Sequence, residues 1–419
     1  MVAAGRRITL PPDLRDWGPY LAVFSVLRVF AAAHSPAVFN DSASYTVLNF
    51  FGHASRLWTV PLLYNVFTSD LAREAAQLGT GVIAWSFLAM SLRGLVADRR
   101  IRTGLVVFTL LLGLIPQVTV WDQCILSESF GISLLVALVG VCARLAQRAT
   151  PRRLLSALIL ALVWTFARQT DVAVFLLLTP LLIAFAIWRL PRLAAGLVST
   201  AVALIAAWGA YTVLVAQKAS PGNGVWTFNA TEVMATYVST DAAEERDFVA
   251  HGMPLARFRA DLPGGPVKMY TDPVLMSWVE SRFQSTYGAW LLEHLPATVW
   301  DPLTSTATNV SLVPTQYGTM QPVLPDPVAS LIWGGDGGEV LFGVALVLVL
   351  AAVCIGRRVR VRSLPLALLL LTSAALMSID TYWFATGEYP RLFAPVGVLS
   401  RVGLAVSIAL CLDALRVAL

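Results

Sequence analysis

Long apolar runs alternate with short, arginine-bearing breaks along most of the chain. A helix needs about 20 apolar residues to cross about 30 Å of hydrocarbon. On that measure ten spans are predicted, near 18–34, 79–96, 104–121, 129–146, 154–168, 171–188, 193–216, 339–356, 364–382 and 392–413. The fifth and sixth are parted only by Arg168-Gln169-Thr170-Asp171, so two separate spans or one re-entrant pair both fit. Two polar intervals stand out. The first, 35–78, is polar-aromatic with apolar patches too interrupted to span, and is predicted to be a loop carrying one or two interfacial helices. The second, 217–338, has turn signals at Pro221-Gly222-Asn223-Gly224 and at Pro263-Gly264-Gly265-Pro266, and is predicted to be a small, mostly helical insertion.

The arginines set the orientation. With the N-terminus inside, the inner segments hold Arg6, Arg7 and Arg15, then Arg93, Arg99, Arg100 and Arg102, then Arg144, Arg148, Arg152 and Arg153. They continue with Arg189 and Arg192, with Arg357, Arg358, Arg360 and Arg362, and with Arg416. Short outer connections hold only Arg168 and Arg391. Basic residues concentrate in inner loops, so both termini are expected in the cytoplasm and both polar intervals outside a plasma membrane. Arg28 interrupts the first apolar run, which is read as an uncleaved span rather than a signal peptide.

Composition agrees with lipid as the solvent: 57% of residues are hydrophobic and 13% charged, against about 25% charged in soluble proteins. The net charge of +5 is no nucleic-acid footprint, because the arginines lie in loops between apolar runs. Only Lys218 and Lys268 are lysines among the 30 basic residues, which reads as GC-rich bacterial coding bias. Cys124, Cys142, Cys354 and Cys411 share no metal-like spacing and read as small apolar fillers. His34, His53, His251 and His294 lack metal-ligand spacing, and no P-loop, GxSxG or HExxH pattern occurs.

The informative pattern is where the acids fall. Asp41, Asp122, Glu128, Asp171, Asp380 and Glu388 all lie at or beside the outer ends of predicted spans, whereas the inner ends hold few acids. Polar groups near the membrane are costly and tend to be functional. Asp41, Glu128, Asp171 and Glu388 each have a plainer reading. Asp41, in Asn40-Asp41-Ser42, fits a helix N-cap. Glu128 fits the positive end of a helix dipole, with Ser127 or Ser129 as cap and its own side chain facing a cavity. Arg168, Thr170 and Asp171 would make a self-neutralising turn, and Glu388 with Arg391 a surface ion pair. Arg28 and Arg401 would snorkel or pair internally.

In order and placement these residues resemble the GT-C superfamily of polytopic glycosyltransferases, which includes the protein O-mannosyltransferases. The resemblance rests on Asp41 followed by Tyr45 in the first outer loop, Ser127-Glu128-Ser129 at the start of the fourth span and Arg168-x-Thr170 at the next outer turn. It continues with a large insertion after the seventh span and Glu388-Tyr389-Pro390-Arg391 before the last. It implies a lipid-phosphate-linked sugar as donor, a glycan, lipid or protein as acceptor, and work on the cell envelope. Many relatives have two adjacent acids in the first loop where this chain has Asp41-Ser42, so no metal site is assigned, and a divalent cation stays an open question.

The chemistry fits the residues independently. A sugar on lipid phosphate already has a good leaving group, so the reaction needs a base on the acceptor hydroxyl and cations for the developing phosphate charge. Asp41 is the expected base or acceptor-orienting group, and Glu128 is the second candidate catalytic carboxylate. Arg168, Asp171, Glu388, Tyr389, Arg391 and Tyr45 are the expected substrate contacts, and a guanidinium matches phosphate oxygens bidentately. The expectation is an all-α membrane glycosyltransferase, hexosyl or pentosyl, with an N-terminal membrane module over 1–216, an external unit over 217–338 and C-terminal helices over 339–419. The rival is a transporter or flippase of a lipid-linked precursor, which would favour polar groups at mid-membrane and two related halves.

Overall fold

The computed structural model describes residues 12–32, 35–216, 224–240, 242–311, 317, 322–333, 364–384 and 389–418. The chain is an all-helical membrane protein, and among the described residues the only β-type pairing is one isolated parallel bridge, Ala37 with Cys124. Its first half comprises α1 (Pro12–Ala31), α2 (Thr59–Val66), α3 (Asp70–Leu92), α4 (Arg99–Leu112), α5 (Pro116–Gln123), α6 (Glu128–Gln147), α7 (Pro151–Thr165), α8 (Gln169–Arg189) and α9 (Arg192–Ala210). The insertion holds α10 (Gly224–Val233), α11 (Ala242–Ala250), α12 (Leu255–Asp261), α13 (Gly265–Tyr270), α14 (Pro273–Trp278), α15 (Gln284–Glu293), α16 (Leu295–Ser311) and α17 (Asp326–Trp333). The chain closes on α18 (Leu364–Phe384), the short α19 (Tyr389–Leu392) and α20 (Ala394–Ala418).

Among the described residues, six helices are long and apolar enough to cross a membrane: α3, α6, α8, α9, α18 and α20. A seventh span results if α4 and α5 count as one, bent by 47°. The candidate at 339–356 lies outside the described residues. Those at 18–34 and 154–168 fall on α1 and α7, where charged residues in one and a 15-residue length in the other keep them below that measure. The fifth and sixth candidates are two separate helices, α7 and α8, joined by a tight turn.

Two departures from the predicted spans have local causes. Helix α3 starts nine residues before 79, because Ser69 caps it by accepting from the Ala72 amide and Asp70 favours the positive end of the dipole. Its polar opening turns, with Glu74 and Gln77, hid it from a hydropathy scan. The third span is broken over Gly113–Ile115, where Pro116 supplies no amide to continue the ladder. The Gly113 carbonyl accepts from Arg28 Nη1 at 2.6 Å instead. Arg28 also grips Asp122 through Nε at 2.9 Å and Nη2 at 3.1 Å, and Ser129 Oγ donates to the same carboxylate at 2.7 Å. Both charges are buried, so Arg28 pairs internally rather than snorkelling.

Among the described residues the core divides in two. Trp85, Leu88, Trp121, Phe130, Phe166, Val174 and Phe393 belong to the membrane cluster, and Met234, Phe248, Phe258, Met269, Trp278, Tyr287 and Trp290 to that of the insertion. The insertion is tied to the end of α18: Tyr237 Oη donates to the Tyr382 carbonyl, Tyr287 Oη to the Trp383 carbonyl and Trp383 Nε1 to the Thr298 carbonyl. Its later part returns to the bundle. Ser378 Oγ, well inside α18, donates to the Pro302 carbonyl of α16, and Arg401 in α20 donates to the Trp333 carbonyl of α17 while lying over the Trp333 ring.

Candidate functional site

Several of the acidic ends predicted for one face of the bundle meet there. The first loop is stitched to the segment before α6 by main chain and by a serine. Ala37 N donates to the Gln123 carbonyl and Ile125 N to the Ala37 carbonyl, each at 2.9 Å. Ser42 Oγ accepts from Phe39 N and donates to the Ile125 carbonyl at 2.7 Å. Gln77 Nε2 donates to the Asp122 and Cys124 carbonyls, and the Tyr64 hydroxyl sits 2.6 Å from Gln77 Oε1 and 2.7 Å from the Leu126 carbonyl. Burial, with Tyr45 and Glu128 nearby, holds that phenol above its ordinary range, so it remains a donor. On the other flank Thr59 Oγ1 donates to the Val163 carbonyl and Gln169 Nε2 to the Ser55 carbonyl. The loop is therefore clamped between the starts of α6 and α8.

This clamping closes a ring of six side chains. Tyr45 Oη donates to Ser127 Oγ at 3.1 Å, and Ser127 Oγ in turn to Glu128 Oε1 at 3.3 Å. Arg391 Nε donates to the same Glu128 oxygen at 2.6 Å, and Arg391 Nη1 stands 3.6 Å from Asp41 Oδ2. Arg56 Nη2 reaches that oxygen at 2.8 Å, and the Arg56 guanidinium lies over the Tyr45 ring, 4.9 Å from its centroid. Burial grades across the ring. The Glu128 side chain is 1% exposed and that of Arg391 5%, whereas Asp41 is 47% exposed. One acid of the ring faces solvent and the other does not.

Beneath the ring a second polar layer continues inward. Arg168 Nη2 is 3.9 Å from Glu128 Oε1. The Arg168 side chain and Asp171 Oδ2 both pack over Gly131, one turn along α6, where an added Cβ would lie 3.1 Å from Arg168 Cδ and 3.9 Å from that oxygen. Asp171 and Asp380 are buried, and Asp380 lies within electrostatic range of Asp171 and Arg168. Carboxylates and guanidiniums thus alternate from Asp41 through Arg391, Glu128 and Arg168 to Asp171. The ion pairs run from Asp41 to Arg168, and Asp171 Oδ2 has no hydrogen-bond partner among the described residues.

The simpler roles expected of these residues are not the ones they fill. The turn Asn40–Thr46 begins after Phe39 without a side-chain cap, and Asp41 faces two arginines instead of free amides. Neither Ser127 nor Ser129 caps α6: their hydroxyls serve Glu128 and Asp122. Arg391 is buried against Glu128, so it is no surface residue. Tyr389 opens α19, and Glu388 lies outside the described residues. Among the tryptophans, Trp58, Trp278, Trp290, Trp333 and Trp383 are buried in the two cores, while Trp300 is exposed. Sequence reasoning missed Arg56. The signal available was a basic residue in a loop expected outside, against the bias that fills the inner loops.

No family model matches the chain, and no curated protein is significantly similar to it. Among solved structures it is similar to an archaeal oligosaccharyltransferase, AglB from Archaeoglobus fulgidus in complex with an inhibitory peptide and a dolichol-phosphate. The identity is 13%, over 94% of this chain and 50% of that chain, with a TM-score of 0.44. The apo form of the A. fulgidus oligosaccharyltransferase is similar at 11% identity over 92% and 50%, TM-score 0.44. ArnT from Cupriavidus metallidurans bound to undecaprenyl phosphate is similar at 14% identity over 93% and 78%, TM-score 0.33. The chain spans about half the length of the oligosaccharyltransferase chains it matches. At TM-scores under 0.5 these likenesses do not assign an activity; the side chains of the ring have to carry it.

Proposed function

We propose that the protein is an inverting glycosyltransferase that moves a sugar from a polyprenyl-phosphate-linked donor to a hydroxyl-bearing glycan, lipid or protein, at the extracytoplasmic face. The observation that carries this reading is Asp41: a half-exposed carboxylate at the mouth of a membrane bundle, with two guanidiniums on one of its oxygens. Asp41 Oδ1 takes the acceptor proton as the acceptor oxygen bonds to the anomeric carbon from the side opposite the phosphate. The bond from that carbon to the phosphate oxygen breaks, and its electron pair leaves on the lipid phosphate. Arg391 and Arg168 supply positive charge toward which phosphate would be drawn. Glu128, buried beneath Arg391, holds that arginine in place. Tyr45 orders the same corner through Ser127, and Asp171, Glu388 and Tyr389 remain proposed substrate-side residues. Gathering of polar groups at one end supports an enzyme over a transporter, which needs them at the midplane.

The test is transfer of labelled sugar from a synthetic polyprenyl-phosphate donor by the purified chain in nanodiscs. Asp41→Asn should fold normally, since a half-exposed ion pair adds little stability, and should lose about 10²–10⁴-fold in rate, the usual contribution of a general base. A well-folded Asp41→Asn protein working at the wild-type rate would remove Asp41 from the mechanism, and Glu128 would take its place as the candidate base.

A further inference from the structure

Arg56 is held at three points of its guanidinium. Its Nε donates to Ser44 Oγ at 2.8 Å, its Nη2 meets Asp41 Oδ2 at 2.8 Å, and its face covers the Tyr45 ring. Ser44 Oγ in turn donates to the Asp41 main-chain carbonyl at 2.6 Å. Arg56 therefore grips the Asn40–Thr46 turn twice, at the carboxylate of Asp41 and, through Ser44, at its backbone. The side chain is 17% exposed, against 47% for the acid it holds.

Both arginines approach Asp41 at the same oxygen, Arg56 at 2.8 Å and Arg391 at 3.6 Å. Arg391 comes from the last membrane segments and Arg56 from the loop, and both point at Oδ2. A carboxylate held by one oxygen between two cations presents the other in a defined direction. A bidentate or stacked guanidinium does this better than an ammonium, because its plane fixes the geometry.

We propose that Arg56 is a positioning residue for Asp41: it turns Oδ2 into the ring and leaves Oδ1 facing the acceptor. This rests on the reading of Asp41 as the base. A group acting this way changes the chemical step and not the affinity for donor. Small misplacement of a reacting group is enough to cost about 10²-fold in rate.

The experiment is steady-state kinetics of the full chain in nanodiscs, with the synthetic polyprenyl-phosphate sugar as donor. It compares wild type, Arg56→Gln, Arg56→Lys, Asp41→Asn and the Asp41→Asn/Arg56→Gln double variant. Arg56→Gln should lower kcat by about 10- to 100-fold and change donor KM by less than about 3-fold. Arg56→Lys should recover part of that loss, because its ammonium still reaches Asp41. On the Asp41→Asn background the Arg56 change should cost less than about 3-fold more, since the two act as a unit. A wild-type kcat in Arg56→Gln, losses that multiply in the double variant, or a loss confined to donor KM would each overturn the proposal. If Arg56→Gln does not fold, Ser44→Ala and Arg56→Lys make the same comparison, and an unchanged kcat in both overturns it. Asp41→Asn at the wild-type rate would sink the base reading itself, which separates that failure from a failure of Arg56 alone.

Discussion

Arg391 touches two carboxylates at once, Glu128 through Nε and Asp41 through Nη1. A lysine keeps the charge but offers one compact point and cannot span both. Arg391→Lys should therefore lose most of the transfer activity while the protein stays folded, as read by labelled-sugar transfer alongside size-exclusion behaviour. A fully active lysine variant with unchanged donor affinity would leave Arg391 no phosphate role. Glu128 differs in kind. Its carboxylate is buried against Arg391 and Arg168, so Glu128→Ala takes the buried counter-charge from Arg168 and leaves Arg391 only the more distant, half-exposed Asp41. Breaking a buried pair costs about 3–5 kcal/mol, and a clear fall in the thermal midpoint in detergent should follow, with a smaller one for Glu128→Gln. An unchanged midpoint for Glu128→Ala would mean the buried charges are compensated elsewhere.

At the scale of elements, the break in the third span shows what a linear scan misses. The apolar run 104–121 is continuous in sequence, yet Gly113 and Pro116 divide it, and an arginine 85 positions earlier satisfies the freed carbonyl. Arg28 was visible as an anomaly inside an apolar run, but its partner Asp122 was not, because their meeting depends on how α1 packs beside α5. The start of α3 was hidden for a similar reason: Glu74 and Gln77 look like loop residues until the loop folds over them. Arg28→Met should cost about 3–5 kcal/mol, since it leaves buried Asp122 without its arginine counter-charge. Adding Asp122→Asn should return part of that loss, and an Arg28→Met protein as stable as wild type would show that the pair does not hold the bundle. The first loop offers a milder case. Ser42→Ala deletes a donor to the Ile125 carbonyl and an acceptor for Phe39 N, worth about 1–3 kcal/mol, and should leave the transfer rate on folded protein nearly unchanged.

Across the whole molecule, the site was legible as a distribution before it was legible as a geometry. Acids gathered at alternate span ends placed Asp41, Glu128, Asp171 and Asp380 at one end of the bundle, and the structure brings their helices together there. Arg56 was legible only as a basic residue in a loop expected outside, because only the folded loop carries it back over Tyr45 and onto Asp41. The side of the membrane that this end faces is a property of the whole molecule, and the arginine bias predicts that it lies outside, with the insertion. Gly264 is exposed on the insertion in a turn before α13, and Arg100 is exposed at the opposite end of the bundle, at the start of α4. A Cβ added at Gly264 would lie 2.5 Å from Lys268 Cβ, so this exposed turn has to shift slightly to take a single cysteine. A membrane-impermeant thiol reagent applied to intact cells should label Gly264→Cys and spare Arg100→Cys until the membrane is opened. Buried Cys124, its thiol pushed up by burial and by nearby Glu128, should contribute no background from this end. Labelling of Arg100→Cys in intact cells would turn the molecule over and bring Asp41, Arg56 and Arg391 to the cytoplasmic face. That result would remove the extracytoplasmic acceptor from the proposed reaction.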